Sequence, residues 1–111
     1  MLLAPFARTP QENKLDTGWP QFRGNLELTG VAHCRVPTAL KALWTYEAGD
    51  AIESSAAIVE GAAFVGTQAS ELLALDLRNG AVRWKYKTDQ GIGESSPCVA
   101  NGMVYVGDLQ G

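Results

Sequence analysis

From residue 42 onward the chain runs in short stretches of alternating apolar and polar residues parted by turn signals, whereas residues 1–41 hold no sustained period of 2 or 3.6. The alternation predicts strands at Glu53–Val59, Ala62–Thr67, Glu71–Asp76 and Val82–Lys87. Between the first two lies Glu60-Gly61, and at the corresponding place later in the chain lies Asn101-Gly102. Asn-Gly between apolar runs is a strong short hairpin signal, because a type I′ turn needs positive φ at both central residues. In the fourth run Val82, Trp84 and Tyr86 fall on one face and Arg83, Lys85 and Lys87 on the other. Those three cations read as a solvated strand surface.

The runs repeat. Trp44, Tyr46 and Ile52 have counterparts forty residues later in Trp84, Tyr86 and Ile92. After one inserted residue, Ser54, Ser55, Gly61, Phe64 and Gly66 match Ser95, Ser96, Gly102, Tyr105 and Gly107. A period near 40 residues suits a propeller blade or a helical repeat, and the strand alternation with glycine turns selects the blade. The fold expected is therefore all-β, a partial β-propeller built of four-stranded antiparallel blades.

The expected layout is an irregular N-terminal segment over 1–17, a leading segment and linker over 18–41, and propeller repeats over 42–111. Within the repeats, 42–51 form a lone outer strand and loop, because Ala42–Tyr46 aligns with a fourth strand rather than a first. Residues 52–88 form one complete blade and 89–111 the first two strands of the next. A ring takes four to eight blades, about 160 residues at the least, so the sequence is expected to be an N-terminal piece of a longer propeller. Assembly of a ring from several short chains is the alternative.

The motif ALDLRNGAVRW, residues 74–84, resembles the tryptophan-docking motif of the pyrroloquinoline-quinone-like (PQQ-like) β-propeller repeat family, Ala-x-Asp-x-x-Thr-Gly-x-x-x-Trp. Ala74, Asp76, Gly80 and Trp84 match at the family spacing, and Asn79 stands where Thr is usual. GWPQFRG, residues 18–24, is similar to a segment that opens many bacterial proteins of this family, and Ser95-Ser96-Pro97 before an apolar run is similar to its innermost strand. The resemblance spans about residues 18–111. It covers quinoprotein dehydrogenases and the outer-membrane assembly lipoprotein BamB alike, so it implies a fold before it implies an activity. It also implies that the lone strand at Ala42–Tyr46 closes a ring against a last blade.

Composition narrows the function. The 111 residues carry 9 Lys and Arg against 12 Asp and Glu, a formal charge of -3, and the basic residues are scattered, which argues against nucleic-acid binding. Cys34 and Cys98 stand outside any CxxC spacing, so no zinc or redox pair is expected, and Cys98 reads as a small apolar residue in a strand. His33 is the only histidine, which rules out a multi-histidine metal site in this chain. No apolar run reaches the length of a membrane-crossing helix, and MLLAPFARTP lacks the basic start of a secretion signal. The compartment is left open, although the family resemblance favours the periplasm or cell surface.

Candidate chemistry is sparse. Asp76 with Asn79 could be a general base or metal ligand, but a turn-capping carboxylate accounts for both residues more simply. Gly80 then takes the positive φ of the turn, and the rings of Trp44 and Trp84 mark one period and pack between blades. GIGESSP, residues 91–97, has neither the spacing nor the following helix of a phosphate cradle. Ser95 has no histidine to serve as its base, and Glu53, Glu94 and Asp108 show no calcium-ligand spacing. No catalytic, cofactor-binding or metal-binding residue is therefore assigned, and the repeat motif comprises Ala74, Asp76, Gly80, Trp84 and Trp44.

The expected function is a non-enzymatic protein-interaction scaffold whose loops and funnel meet protein partners and whose blades meet the rest of the ring. The alternative is part of a PQQ-dependent alcohol or sugar dehydrogenase. Only under that alternative are PQQ and calcium expected as cofactors, with most of their pocket on other blades and a pair of adjacent cysteines that this sequence lacks. A propeller sensor domain of a larger protein is a further alternative.

Overall fold

A computed structural model describes residues 2–5 and 18–111. Among the described residues there are seven strands: β1 (Leu2–Pro5), β2 (Ala57–Val59), β3 (Ala62–Thr67), β4 (Glu71–Asp76), β5 (Val82–Lys87), β6 (Cys98–Ala100) and β7 (Met103–Val106). They form a four-stranded antiparallel meander, β2-β3-β4-β5, and a three-stranded antiparallel sheet in the order β1-β7-β6. Among the described residues there is no helix, and hence none able to cross a membrane.

The meander has the four strands that the alternation foretells. Its hairpin turn places Glu60 at φ 49° and Gly61 at φ 73°, and the second sheet repeats this with Asn101 at 51° and Gly102 at 76°. Both central residues are left-handed, as a type I′ turn requires. The innermost strand is shorter than the sequence suggests and begins at Ala57 rather than Glu53. Upstream of it the polar groups bond elsewhere: Ser54 Oγ donates to Gly66 O at 3.2 Å, and Ser55 N donates across to Ser96 Oγ at 2.9 Å.

One face of the meander carries Ala57, Ala62, Phe64, Leu72 and Ala74, which join Ile92, Val99, Val104 and Val106 of the second unit in the buried core. Val59 and Trp84 pack against this cluster, and the Trp84 ring lies 5.8 Å from that of Phe64 at 44°. Such a tilted aromatic pair contributes about 0.5–1.5 kcal/mol beyond its area. Leu73, Leu75 and Ala63 are buried as well, so the central strands β3 and β4 are covered on both sides. Ile92 reaches the core because Gly66 leaves room for it: a Cβ on Gly66 would stand 2.4 Å from Ile92 Cγ2. Ile52, the counterpart of Ile92 one period earlier, is 47% exposed.

The leading segment ties the two sheets together. Trp19 and Ile58 exchange both backbone bonds, at 2.6 and 2.7 Å, and Val99 N donates to Pro20 O at 2.7 Å. Residues 19 and 20 thus bridge the innermost strands of successive units. Residues 42–46, expected as a strand, form no ladder. No neighbouring strand lies beside this run among the described residues, and it is held instead through the Trp44 side chain.

Replacing Gly66 with Ala should lower stability by about 1–3 kcal/mol, the usual cost of forcing volume into a filled core. Urea denaturation checks this, and combining Gly66→Ala with Ile92→Ala should make the two losses less than additive.

Candidate functional site

Two places carry the polar side chains singled out from the sequence. The first is the turn between β4 and β5. Asp76 N donates to Ala81 O at 2.7 Å, Gly80 N donates to Asp76 O at 2.8 Å, and the Asn79 side chain accepts from Ala81 N at 2.9 Å. That last bond shows why Asn suits a position where the family usually has Thr.

The Asp76 carboxylate, almost buried, is saturated. Its Oδ1 accepts from Arg78 N at 2.9 Å and Arg78 Nε at 3.2 Å; its Oδ2 accepts from Arg78 Nη2 at 3.2 Å and from Arg83 Nη2 at 3.1 Å. Arg83 Nη2 also donates to Gly61 O at 2.8 Å, which ties the turn to the first hairpin. A register shift between Ala74 and Leu75 inserts Arg83 as an extra residue in β5. The bulge lets Arg83 reach Asp76 while Trp84 keeps its place on the core face. Hydrogen bonds from the Arg78 side chain and backbone, with those from Arg83, hold the Asp76 pKa well below the usual carboxylate range.

Trp44 sits on the same turn. Its indole N–H donates to Leu77 O at 2.9 Å, and its ring covers Gly80, where a Cβ would lie 2.6 Å from Trp44 Cε3. Gly80 also has φ +72°, so both its conformation and its lack of a side chain are used. The residue seated on the motif is therefore Trp44, from one period upstream, while Trp84 of the motif leans on Phe64 in its own blade.

The second place is an open recess of about 700 Å³ lined by Phe22, Glu53, Ser55, Glu94 and Ser96. The repeat sets Glu53 and Ser55 of one unit beside Glu94 and Ser96 of the next, with the Ser55–Ser96 bond between them. Glu53 accepts from Gln68 Nε2, and Phe22 is 52% exposed at the rim. Ser95 does not join this recess; its Oγ accepts from Gly107 N at 3.0 Å, within its own unit. Asp108 caps a local turn, its Oδ1 accepting from Gln110 N and Gly111 N at 3.1 Å.

Among the described residues no group of three or more His, Cys, Asp or Glu is placed to hold a metal ion. Glu53 and Glu94 share the recess, and Asp108 does not line it. Cys34 is exposed and Cys98 half-buried, and neither is in a disulfide; Cys98 Sγ lies 3.6 Å from Gln21 Oε1.

Three residues in these arrangements are not singled out by sequence reasoning. Arg78 has a signal in hindsight, an Asp-x-Arg spacing at a turn. Arg83 is hidden by its alternation with Lys85 and Lys87, which assigns it to solvent, and Phe22 lies in a segment without periodicity.

The family model described as outer membrane protein assembly factor BamB matches residues 37–111, and the chain belongs to that PQQ-like repeat family. The comparison with curated proteins returned no match.

Two measurements probe this turn. Gly80 and Gly49 both have positive φ, at 72° and 78°, but nothing lies near a Cβ at Gly49. Gly80→Ala should therefore cost more stability than Gly49→Ala, by about 1–3 kcal/mol, and the excess should vanish in a Trp44→Ala background. The second is acid titration. Because the folded pKa of Asp76 is depressed, its contribution is present above the unfolded value near 4 and is lost as pH falls from there toward the folded value. Thermal melts of Asp76→Asn should show lower stability than the unsubstituted chain at pH 7, with the gap closing below about pH 4.

Proposed function

We propose that this chain is a non-catalytic scaffold module of a PQQ-like propeller, and that the recess around Phe22, Glu53, Ser55, Glu94 and Ser96 is where a protein partner docks. One observation carries it. The Asp76 carboxylate has its oxygens saturated by Arg78 and Arg83, whereas Glu53 and Glu94 are exposed in a strip that the repeat duplicates and that an exposed aromatic ring borders. Saturated groups hold a fold; an open polar strip with an aromatic rim suits a protein contact.

In the complete ring the geometry seen at Trp44 recurs: each tryptophan lies over the turn of the following blade, with its indole N–H on the carbonyl four positions into the motif. Trp84 takes that role toward a further blade. The family description supports the proposal, since an outer-membrane protein assembly factor works by binding other proteins. Under this proposal the partners belong to outer-membrane protein assembly, and the compartment is the periplasm.

The test is site-specific photo-crosslinking in the protein's own host. A crosslinker at Ser55 or Ser96 should capture a component of the outer-membrane assembly machinery, and Glu53→Lys with Glu94→Lys should reduce capture at least tenfold without changing the melting temperature. The proposal is wrong if the charge reversals leave capture unchanged. It is also wrong if the protein reconstituted with PQQ and calcium reduces an artificial electron acceptor in the presence of an alcohol or sugar.

A further inference from the structure

An asparagine followed by glycine can react with its own backbone. The glycine nitrogen, on losing its proton, attacks the carboxamide carbon of the asparagine, and no Cβ on the glycine stands in the way. A C–N bond forms, ammonia leaves, and the resulting five-membered imide takes up water to give aspartate or isoaspartate. Nothing is oxidised or reduced, and a neutral side chain becomes a carboxylate. Two such dipeptides lie in the chain, Asn79-Gly80 and Asn101-Gly102.

The fold treats them oppositely. At Asn79 both reacting groups are engaged: Oδ1 accepts from Ala81 N at 2.9 Å, and Gly80 N donates to Asp76 O at 2.8 Å. The Trp44 ring lies against Gly80 as well, where a Cβ would stand 2.6 Å from Cε3. Closing the imide there breaks two hydrogen bonds and moves backbone that is held beneath a ring. Asn25, the other described asparagine, precedes Leu26, and its carboxamide donates to Thr29 Oγ1 at 2.8 Å and accepts from Thr29 N at 3.0 Å.

At Asn101 neither group is engaged. The residue is exposed, and among the described residues its side chain and Gly102 N make no hydrogen bond. A Cβ built on Gly102 would meet nothing within 4 Å. The freedom of the nitrogen belongs to the turn itself. With Asn101 at φ 51° and Gly102 at φ 76°, a two-residue type I′ turn leaves the second N–H outside the ladder, and Gly61 N at the equivalent place in the first hairpin is likewise unbonded among the described residues.

We propose that Asn101 is a site of spontaneous deamidation through the cyclic imide, and that the folded β4–β5 turn shields Asn79, whose dipeptide is chemically the same. The isoaspartate product lengthens the main chain by one methylene inside a two-residue turn and adds a negative charge at the tip of the β6–β7 hairpin, which is held by the pairs Cys98–Tyr105, Val99–Val104 and Ala100–Met103. This inference is independent of the partner recess, which neither asparagine lines.

The test follows the intact protein over days in mildly alkaline buffer by peptide mapping with mass spectrometry and by enzymatic methylation of isoaspartate. In the folded protein Asn101 should convert at least fivefold faster than Asn79. In urea, where the turn no longer shields it, Asn79 should speed up until the two rates agree within about threefold. Asn101→Gly, which suits the positive φ of the turn, should abolish the early acidic species and leave the rate at Asn79 unchanged. The proposal is overturned by a smaller ratio in the folded protein, by a ratio that urea does not alter, by an acidic species that persists in Asn101→Gly, or by product at Asn101 that contains no isoaspartate.

Discussion

The turn between β4 and β5 depends on the paired arginines at Asp76. A nearly buried carboxylate is costly to desolvate unless charged donors replace its water. Arg78 does so from within the turn and Arg83 from the next strand, and Arg83 binds Gly61 O at the same time. Two turns and one strand are thereby fixed to one point. The turn then presents the bare backbone of Gly80 and the free carbonyl of Leu77 in the positions where the Trp44 ring and its N–H meet them. Arg78 is 83% exposed, so its part is screened by solvent, and the more sheltered Arg83 is the stronger structural link.

The contact between the two sheets depends on a shared apolar cluster with one close approach at a glycine. Gly66 lets Ile92 approach the meander, whose buried face sets Ala57, Ala62 and Ala74 beside Phe64 and Leu72, and Val104 and Val106 join the same cluster. Residues 19 and 20 add directional bonds to this apolar contact by serving β2 and β6 from a single stretch. Apolar burial sets how closely the units approach, and the backbone bonds set their register. Face and edge are thus handled by different means: faces by interdigitation, the β5 edge by charge, and the β7 edge by a strand from elsewhere in the chain.

The blade was legible in the sequence because its signals are local. Alternation places β3, β4 and β5, the two-residue turns specify their own backbone, and the forty-residue repeat identifies the second unit from the first. The recess was less legible. Glu53, Ser55, Glu94 and Ser96 are visible as repeat counterparts, but their adjacency needs the two units to be packed side by side. Phe22 joins them from a segment with no period at all. Strand β2 begins only at Ala57 because Ser54 and Ser55 bond to Gly66 and Ser96 rather than along a ladder.

The sequence by itself determined the strand meander, the turn chemistry and the membership of the motif around Asp76, since each follows from neighbours within a few residues. Tertiary structure decided which tryptophan covers Gly80, which arginines satisfy Asp76, and which strand covers β7. Each of those choices joins groups that periodicity treats as independent: Trp44 is one period from the turn it covers, Arg83 reaches Asp76 only through a bulge, and Leu2–Pro5 meets β7 from the other end of the chain. Hydrogen-bond satisfaction and space filling in three dimensions select such partners, and a one-dimensional pattern carries no record of them.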